Sequence, residues 1–108
     1  MNELLKKGLY FDLDTSALKK HYPKGDWHQA YFDIRHYLET HKFEHIQGSG
    51  YHSCLPMEET TAMKIAFSMY NFFPWLQSCV SICIISDIPT VYDVSILFAL
   101  QTEDFQNS

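Results

Sequence analysis

The segment that most constrains the fold is an alternating stretch near the start of the chain, from Gly8 to Asp14. Side chains of an extended chain point to opposite faces in turn, so Leu9 and Phe11 share one face while Tyr10 and Asp12 share the other. The pattern predicts a first strand with one face on a core. Because carboxylates are poor strand formers, the acidic face either meets solvent or forms an acidic site at the strand end.

Composition limits the class of protein. The 108 residues are 46% hydrophobic and 16% aromatic, which predicts one ordered domain with a real core and excludes a disordered chain. The net charge of −5 means that any nucleic acid must be bound by a local site, because the overall field repels polyanions. No apolar window is long enough for a membrane span, and the first residues lack the apolar core of a signal peptide.

The cysteines indicate the compartment. Cys54, Cys79 and Cys83 form neither a CxxC pair nor a zinc spacing. Cys79 and Cys83 are expected in one strand about 13 Å apart, too far for a disulfide. Reduced, mostly buried thiols in a cytoplasmic protein are therefore expected.

Helix and strand signals follow one another in a recognisable order. Turn residues and prolines separate the segments, and apolar residues recur at spacings of three and four where helices are expected. The predicted elements are a strand at 8–14, a short helical turn through Leu18, a helix capped by Asp26, a strand at 43–47, a strand at 51–55, a helix between Pro56 and Pro74, and a strand at 79–85.

This order predicts an α+β fold, a ferredoxin-like βαββαβ sandwich whose antiparallel sheet carries both helices on one face. The last strand is nearly continuous apolar sequence and is expected to be buried on both sides. Since two helices cover only one face, a second copy of the protein is expected to cover the other. Residues 1–7 and 101–108 are predicted to be flexible tails, and 91–100 a further apolar segment.

Several short pieces, in order from Gly8 to Val80, make the chain resemble a known family. They are Phe11-Asp12-Leu13, Tyr22-Pro23-Lys24-Gly25, Gln29-Ala30-Tyr31, Asp33-Ile34, Phe43, Gln47-Gly48-Ser49 and Tyr51. Together they resemble the VapD family of virulence-associated, toxin-type proteins, which is similar in fold to the small CRISPR-adaptation nuclease. The resemblance implies a homodimeric endoribonuclease that cleaves RNA, often as the toxin of a toxin–antitoxin pair, so an antitoxin protein is a further expected partner.

The resemblance also implies a role for Asp12. In fold relatives the first-strand aspartates of two protomers face each other and can hold a divalent ion, which here would be Mg²⁺. The family commonly carries arginines in the fourth strand, in a pattern like V-R-D-I-R-A-F. This chain has none at 80–86, so RNA contacts either fall to other cations, namely Lys19, Lys20, Lys24 or Arg35, or activity is reduced.

The hairpin supplies the other candidate residues. His52 is expected to act as acid or base near Asp12, and Ser49 with the turn amides either approaches a phosphate or only forms the turn. Tyr22 and Tyr10 either stack on bases or pack in the core. The predicted site comprises Asp12, Ser49 and His52 as catalytic residues and Tyr22, Lys24, Arg35, Gln47 and Gly48 as substrate-binding residues.

Three alternatives stay open. Asp14 is either a helix cap or a second acidic ligand, and the turn that follows it favours the cap. The absent arginines and the acidic charge favour a second function, a non-catalytic ferredoxin-like dimer that acts through a protein partner. A metabolite-binding regulator is neither supported nor excluded.

Overall fold

The alternating stretch is the second-from-edge strand of an open antiparallel sheet. The computed structural model describes residues 4–89 and 94–98. Four strands lie in the order β2-β3-β1-β4, with each neighbouring pair antiparallel, which makes the fold α+β. The elements are β1 (Lys6–Leu13), α1 (Thr15–His21), α2 (Gln29–Thr40), β2 (Phe43–Gln47), β3 (Gly50–Ser53), α3 (Glu59–Phe72), α4 (Leu76–Cys79) and β4 (Val80–Ile88), with one helical turn at 95–98.

The alternation of β1 decides which face of the sheet is covered. Leu9 and Phe11 are buried, whereas Tyr10 and Asp12 are exposed, as the sequence predicts. Buried apolar residues of the helices pack against this face and form one core with it. Each fully buried aliphatic side chain contributes roughly 1.5–3 kcal/mol to the free energy of folding, relative to an exposed one. The fully buried members include Leu9, Leu18, Ala30, Ile34, Leu38, Ala62 and Leu76.

β4 differs from its prediction. Its register pairs Phe11 with Cys83 and Asp12 with Ile82. Cys83 and Ile85 pack against the core, but Ile82 and Ile84 are 50% and 52% exposed. The expectation of burial on both faces is therefore wrong for the chain alone, because none of the helices α1–α4 packs on the second face. We call this second face, which carries Tyr10, Asp12, Ile82 and Ile84, the helix-free face.

Two element boundaries also differ from prediction. β1 begins at Lys6, and Lys7 is buried with its ammonium 2.6 Å from Asp87 Oδ1, so residues 6 and 7 are strand rather than tail. Cys79 ends α4 and only Cys83 lies in β4. The reason is that the chain forms a helical turn before the strand, and Trp75 and Leu76 at the start of this turn are buried in the core. The two thiols therefore do not share a strand, and burial raises the pKa of both.

Of the two helix caps predicted from the sequence, one is confirmed and one is wrong. Asp14 caps α1, accepting a hydrogen bond from the amide of Ala17 at 2.9 Å. Asp26 does not cap α2, which begins later, after His28. Its carboxylate instead accepts from the amide of His28 at 3.0 Å and lies 2.6 Å from Nδ1 of that ring, because residues 26–28 form a turn.

Part of the C-terminal prediction lies outside the described residues, namely 101–108 and the ends of 91–100. The described part, 94–98, is exposed and includes the helical turn. A bilayer-spanning helix, long and apolar, is absent from the described ranges 4–89 and 94–98.

Candidate functional site

A cavity of about 430 Å³ lies on the helix-free face, where the end of β1 meets the β2–β3 hairpin. Four residues that the sequence predicts for the site line it together: Asp12, Gln47, Ser49 and His52. All three predicted catalytic residues are among them. We call it the hairpin cavity; its other lining residues are Tyr10, Phe11, Ile46 and Gly50.

Strand pairing brings these distant residues together. β3 pairs with β1 so that Gly50 lies opposite Tyr10, and the amide of Phe11 donates to the carbonyl of Ser49 at 3.3 Å. Continued by two residues, this antiparallel register sets Asp12 level with the turn. Gly48 has a φ of +51°, which permits the turn to bend beside β1.

Tyr10 holds His52 from the side. The Tyr10 hydroxyl lies 3.3 Å from Nε2 of His52, and the rings meet edge to face. The hydroxyl can donate to an unprotonated Nε2 or accept from a protonated one. His52 is thereby oriented at the cavity wall.

Two glycines make room for that ring. A Cβ on Gly8 would come within 2.9 Å of the Tyr10 ring, and a Cβ on Gly50 within 3.2 Å. The ring of Tyr10 therefore lies over both glycines, of which Gly8 is on its own strand, β1, and Gly50 is on the neighbouring strand, β3. The sequence predicts that Tyr10 either stacks on bases or packs in the core; the signal for its positioning role is Gly8, two residues away on the same strand face.

Asp12 is the exposed carboxylate of the cavity. Its backbone carbonyl accepts from the Ser81 hydroxyl at 3.2 Å, and the strand register shifts directly after it. Burial together with the negative charge of Asp12 raises the pKa of Tyr31, so this phenol stays protonated to higher pH than usual. The Asp12 carboxylate is thus exposed in the cavity and lies close enough to the Tyr31 hydroxyl to affect its ionisation.

The described residues of one chain do not form a cluster of metal ligands by themselves. No group of three or more His, Cys, Asp and Glu side chains in the described ranges is placed to hold a metal ion. Asp14 does not join Asp12, because its carboxylate caps α1 and its amide donates to the carbonyl of Cys79 at 2.8 Å. Mg²⁺ is usually held by one or two carboxylates together with waters and substrate phosphates, and Asp12 is the carboxylate that this chain would contribute.

A second cavity, of about 300 Å³, adjoins the first and shares Phe11 and Ser49 with it. It adds two predicted substrate-binding residues, Gly48 and Arg35. The guanidinium of Arg35 is about half exposed and bonds Glu39 through Nε at 3.2 Å, which leaves its terminal nitrogens to meet an anion. We call these two neighbouring cavities together the groove; one holds a carboxylate, Asp12, and the other a cation, Arg35.

Tyr22 and Lys24 do not lie in this groove. The Tyr22 ring is 7% exposed, packs edge to face on Trp75 and donates its hydroxyl to Asp33 at 2.6 Å. Burial and the Asp33 carboxylate raise the pKa of Tyr22 to about 12. Its ring has no free face for a base, so the core interpretation of Tyr22 fits the structure, and Lys24 lies with Asp33 at a different cleft.

The two histidines of the β2–β3 hairpin, His45 and His52, do not lie opposite each other. His45 pairs with Tyr51 and not with His52, whose partner across β2 is Glu44. Nε2 of His45 lies 2.7 Å from the carbonyl oxygen of Gly48, and since a carbonyl only accepts, this nitrogen donates. His45 therefore supports the turn while His52 alone faces the hairpin cavity.

The cleft with the greater volume is not the one that holds the predicted catalytic residues. A cleft of about 760 Å³ between α2 and α3 is larger than the hairpin cavity but holds none of the predicted catalytic residues. We take the hairpin cavity as the candidate active site because a carboxylate, an imidazole and a hydroxyl converge there.

Comparison with known proteins does not assign the site. Neither a scan against protein-family models nor a search of curated proteins finds a match for this chain. Function must therefore be inferred from the residues of the hairpin cavity themselves.

Proposed function

We propose that this protein is a homodimeric endoribonuclease of the VapD toxin type, which cleaves single-stranded RNA in the hairpin cavity. The observation that carries the proposal is the convergence of Asp12, Ser49 and His52 from two separate parts of the chain onto one cavity wall. The strand order β2-β3-β1-β4, with antiparallel neighbours, supports a ferredoxin-like arrangement, which is the fold that the resemblance implies.

The cavity residues suit an acid–base cleavage of RNA. Asp12 takes the proton from the ribose 2′-hydroxyl, whose oxygen then bonds to the adjacent phosphorus. As the bond from phosphorus to the 5′-oxygen breaks, His52 in its protonated form gives that oxygen a proton. The products are a 2′,3′-cyclic phosphate and a free 5′-hydroxyl, so atoms and charge balance without a further reactant.

The remaining groove residues position the substrate. Ser49 lines both cavities, where its hydroxyl can donate to a non-bridging phosphate oxygen. Arg35 in the adjoining cavity meets a neighbouring phosphate, which offsets the acidic charge of the chain. The aromatic side chains Tyr31 and Phe32 line the same cavity and offer stacking surface for an unpaired base.

The proposed dimer forms through the helix-free face. Ile82 and Ile84 are half exposed there beside Asp12, and burying them needs a partner that the chain's own helices do not supply. A second copy related by a two-fold axis presents the same apolar face in return. Such a dimer brings two Asp12 carboxylates toward each other, and like charges repel.

The test is cleavage of a labelled, unstructured RNA by the purified protein. Asp12→Asn and His52→Ala are each expected to lower the rate by on the order of 100-fold, as for loss of a positioned acid–base group. The melting temperature of Asp12→Asn should stay equal or rise, because a repulsive charge is removed. Products of the wild-type reaction should carry the cyclic phosphate.

Asp14→Asn is the matched control. It changes a neighbouring aspartate that caps α1, so it should alter stability slightly and leave cleavage intact. A wild-type protein that leaves RNA whole, or an Asp12→Asn variant that cleaves at the wild-type rate, would refute the proposal.

A non-catalytic module that acts through a protein partner is the second candidate. Met63 and Phe67 of α3 are 58% and 68% exposed and line one shallow cavity. Adjacent exposed apolar side chains are typical of a protein interface. Absence of RNA cleavage by a folded dimer would favour this function.

A further inference from the structure

The cleft between α2 and α3, which we call the helix cleft, has an apolar floor and charged side chains at its edge. Its volume of about 760 Å³ falls in the range of small-molecule sites. Tyr37 and Phe73, each 8% exposed, form its apolar floor. Lys24, Asp33 and His41 line it with Phe72 at the rim. It lies on the opposite flank of α2 from Arg35, so it is separate from the proposed RNA groove.

Phe72 gives the helix cleft a fixed aromatic surface. Its ring is 65% exposed although it ends α3 beside the core. Phe73 holds it edge to face at 4.9 Å between centroids, and Tyr37 supports it at 5.3 Å. An exposed ring fixed on two sides offers a face on which a flat heterocycle can stack.

Two hydrogen-bond acceptors lie in the same cleft. The Asp33 carboxylate is 21% exposed and is held by the Tyr22 hydroxyl at 2.6 Å. Nδ1 of His41 lies 2.8 Å from the carbonyl oxygen of Tyr37, so this nitrogen carries the proton and donates. In the neutral ring Nε2 is then left as an acceptor. The cleft thus combines the stacking surface of Phe72 with two hydrogen-bond acceptors that can bind the N–H groups of a ligand.

A cation completes the set. The Lys24 ammonium is 67% exposed and lies 3.8 Å from Asp33 Oδ2, at the edge of the cleft. This spacing is loose for an ion pair, so the ammonium can turn toward another anion. A ligand with an amino-bearing flat ring and an anionic group at its other end would meet all of these features.

We propose that the helix cleft binds a nucleotide whose base carries an exocyclic amino group, with adenine as the simplest case. The base stacks on Phe72, its amino group donates to Asp33, and its phosphate meets Lys24. Carboxylates recognise amino groups of bases in this way, and aromatic rings recognise base faces. This binding does not depend on RNA cleavage, since none of the residues involved lies in the hairpin cavity.

The test is titration of the full chain with AMP and, separately, with IMP, followed by calorimetry or NMR shifts. AMP is expected to saturate the cleft in the micromolar to millimolar range. IMP should bind about tenfold or more weakly, because its oxo group sets an acceptor against the Asp33 carboxylate. Asp33→Asn should remove this preference, since an amide can also donate.

Variants of α3 supply the control. Phe72→Ala should weaken AMP by about tenfold, in line with the loss of one stacking contact. Phe67→Ala removes an equally exposed phenylalanine of the same helix that lies outside the cleft, and should bind AMP as the wild type does. Circular dichroism checks that both variants fold.

The source of the nucleotide is resolved in the Asp12→Asn background, where an RNA probe should survive. Tighter binding of a tetraadenylate than of AMP would assign the cleft to RNA, whereas equal binding would assign it to a free nucleotide; either supports the site. Equal affinity for AMP and IMP, no saturation by millimolar AMP, or full binding by Phe72→Ala would overturn it.

Discussion

At the scale of single residues, the contact between Tyr10 and His52 depends on two neighbouring glycines, Gly8 and Gly50. Gly8 and Gly50 have no side chain, and the Tyr10 ring occupies the space that a methyl group would fill. The hydroxyl consequently reaches Nε2 of His52 at 3.3 Å. The orientation of a candidate catalytic group thus depends on two positions that have no side chain.

Gly8→Ala tests this arrangement. The new methyl group would meet the far end of the Tyr10 ring at 2.9 Å, and because that end is free to swing outward, stability should change by less than about 1 kcal/mol. The contact to His52 should be lost, so RNA cleavage should fall to the level of Tyr10→Phe. Long-range nitrogen–proton NMR spectra of the His52 ring, compared among these variants, report the loss directly.

Gly25→Ala serves as the opposite control. Gly25 has a φ of +82° and open space around it, so alanine there should cost about 1 kcal/mol from backbone strain while the His52 spectrum stays unchanged. A Gly8→Ala variant with a wild-type His52 spectrum would show that the tyrosine does not depend on the glycine.

At the scale of elements, β4 has two faces with different expected roles. Ile84 is 52% exposed on the helix-free face, whereas Ile85 packs against the core. Ile84→Asp should therefore leave the monomer folded and abolish the dimer. Ile85→Asp should lower the free energy of unfolding by several kcal/mol, because it buries an unpaired charge.

Light scattering at low micromolar concentration, together with chemical denaturation, distinguishes these effects. The wild type should scatter as twice the 12.7 kDa chain and the Ile84→Asp variant as one chain. A wild-type monomer, or an Ile84→Asp variant that is still dimeric, would remove the helix-free face from the proposed interface.

The elements differ in how far sequence could predict them. The alternation of β1 and the cap at Asp14 are local signals, and both are confirmed. The sequence does not reveal α4, because this helix is a single turn, Leu76–Cys79, that runs directly into β4. The two faces of β4 could not be separated either, since burial depends on which helices pack where and not on the strand's own sequence.

The candidate site shows the same division. Asp12, Ser49 and His52 could be selected by residue type and by the resemblance, and strand pairing brings them to one cavity. The burial of Tyr22 against Trp75 could not be foreseen, because it joins the end of α1 to a turn more than 50 residues later. Long-range packing of this kind leaves no local pattern.

At the scale of the whole molecule, buried tyrosines link stability to pH. Burial is the main cause that raises the pKa of Tyr51 to about 12, and burial with Asp33 does the same for Tyr22. An unfolded tyrosine ionises near pH 10. Since the folded pKa values are raised, this stability is fully present below pH 10 and is lost as pH rises through about 12.

Alkaline titration checks the prediction. Phenolate absorbance and circular dichroism, recorded together, should show late ionising tyrosines that titrate as the fold is lost. Tyr51→Phe removes one such group and should make stability fall less steeply above pH 10. If all tyrosines ionise near pH 10 in a protein that stays folded, the linkage is absent.

The dual use of β1 has an evolutionary consequence. Core and candidate site alternate along this strand, with Leu9 and Phe11 inward and Tyr10 and Asp12 outward. A single-residue insertion or deletion within it would exchange the two sets and send the carboxylate into the core. Homologues can thus vary the site only by substitution at the outward positions of β1. Changes in length must fall in the loops. Selection for folding is therefore sufficient to preserve the spacing of the site residues on this strand.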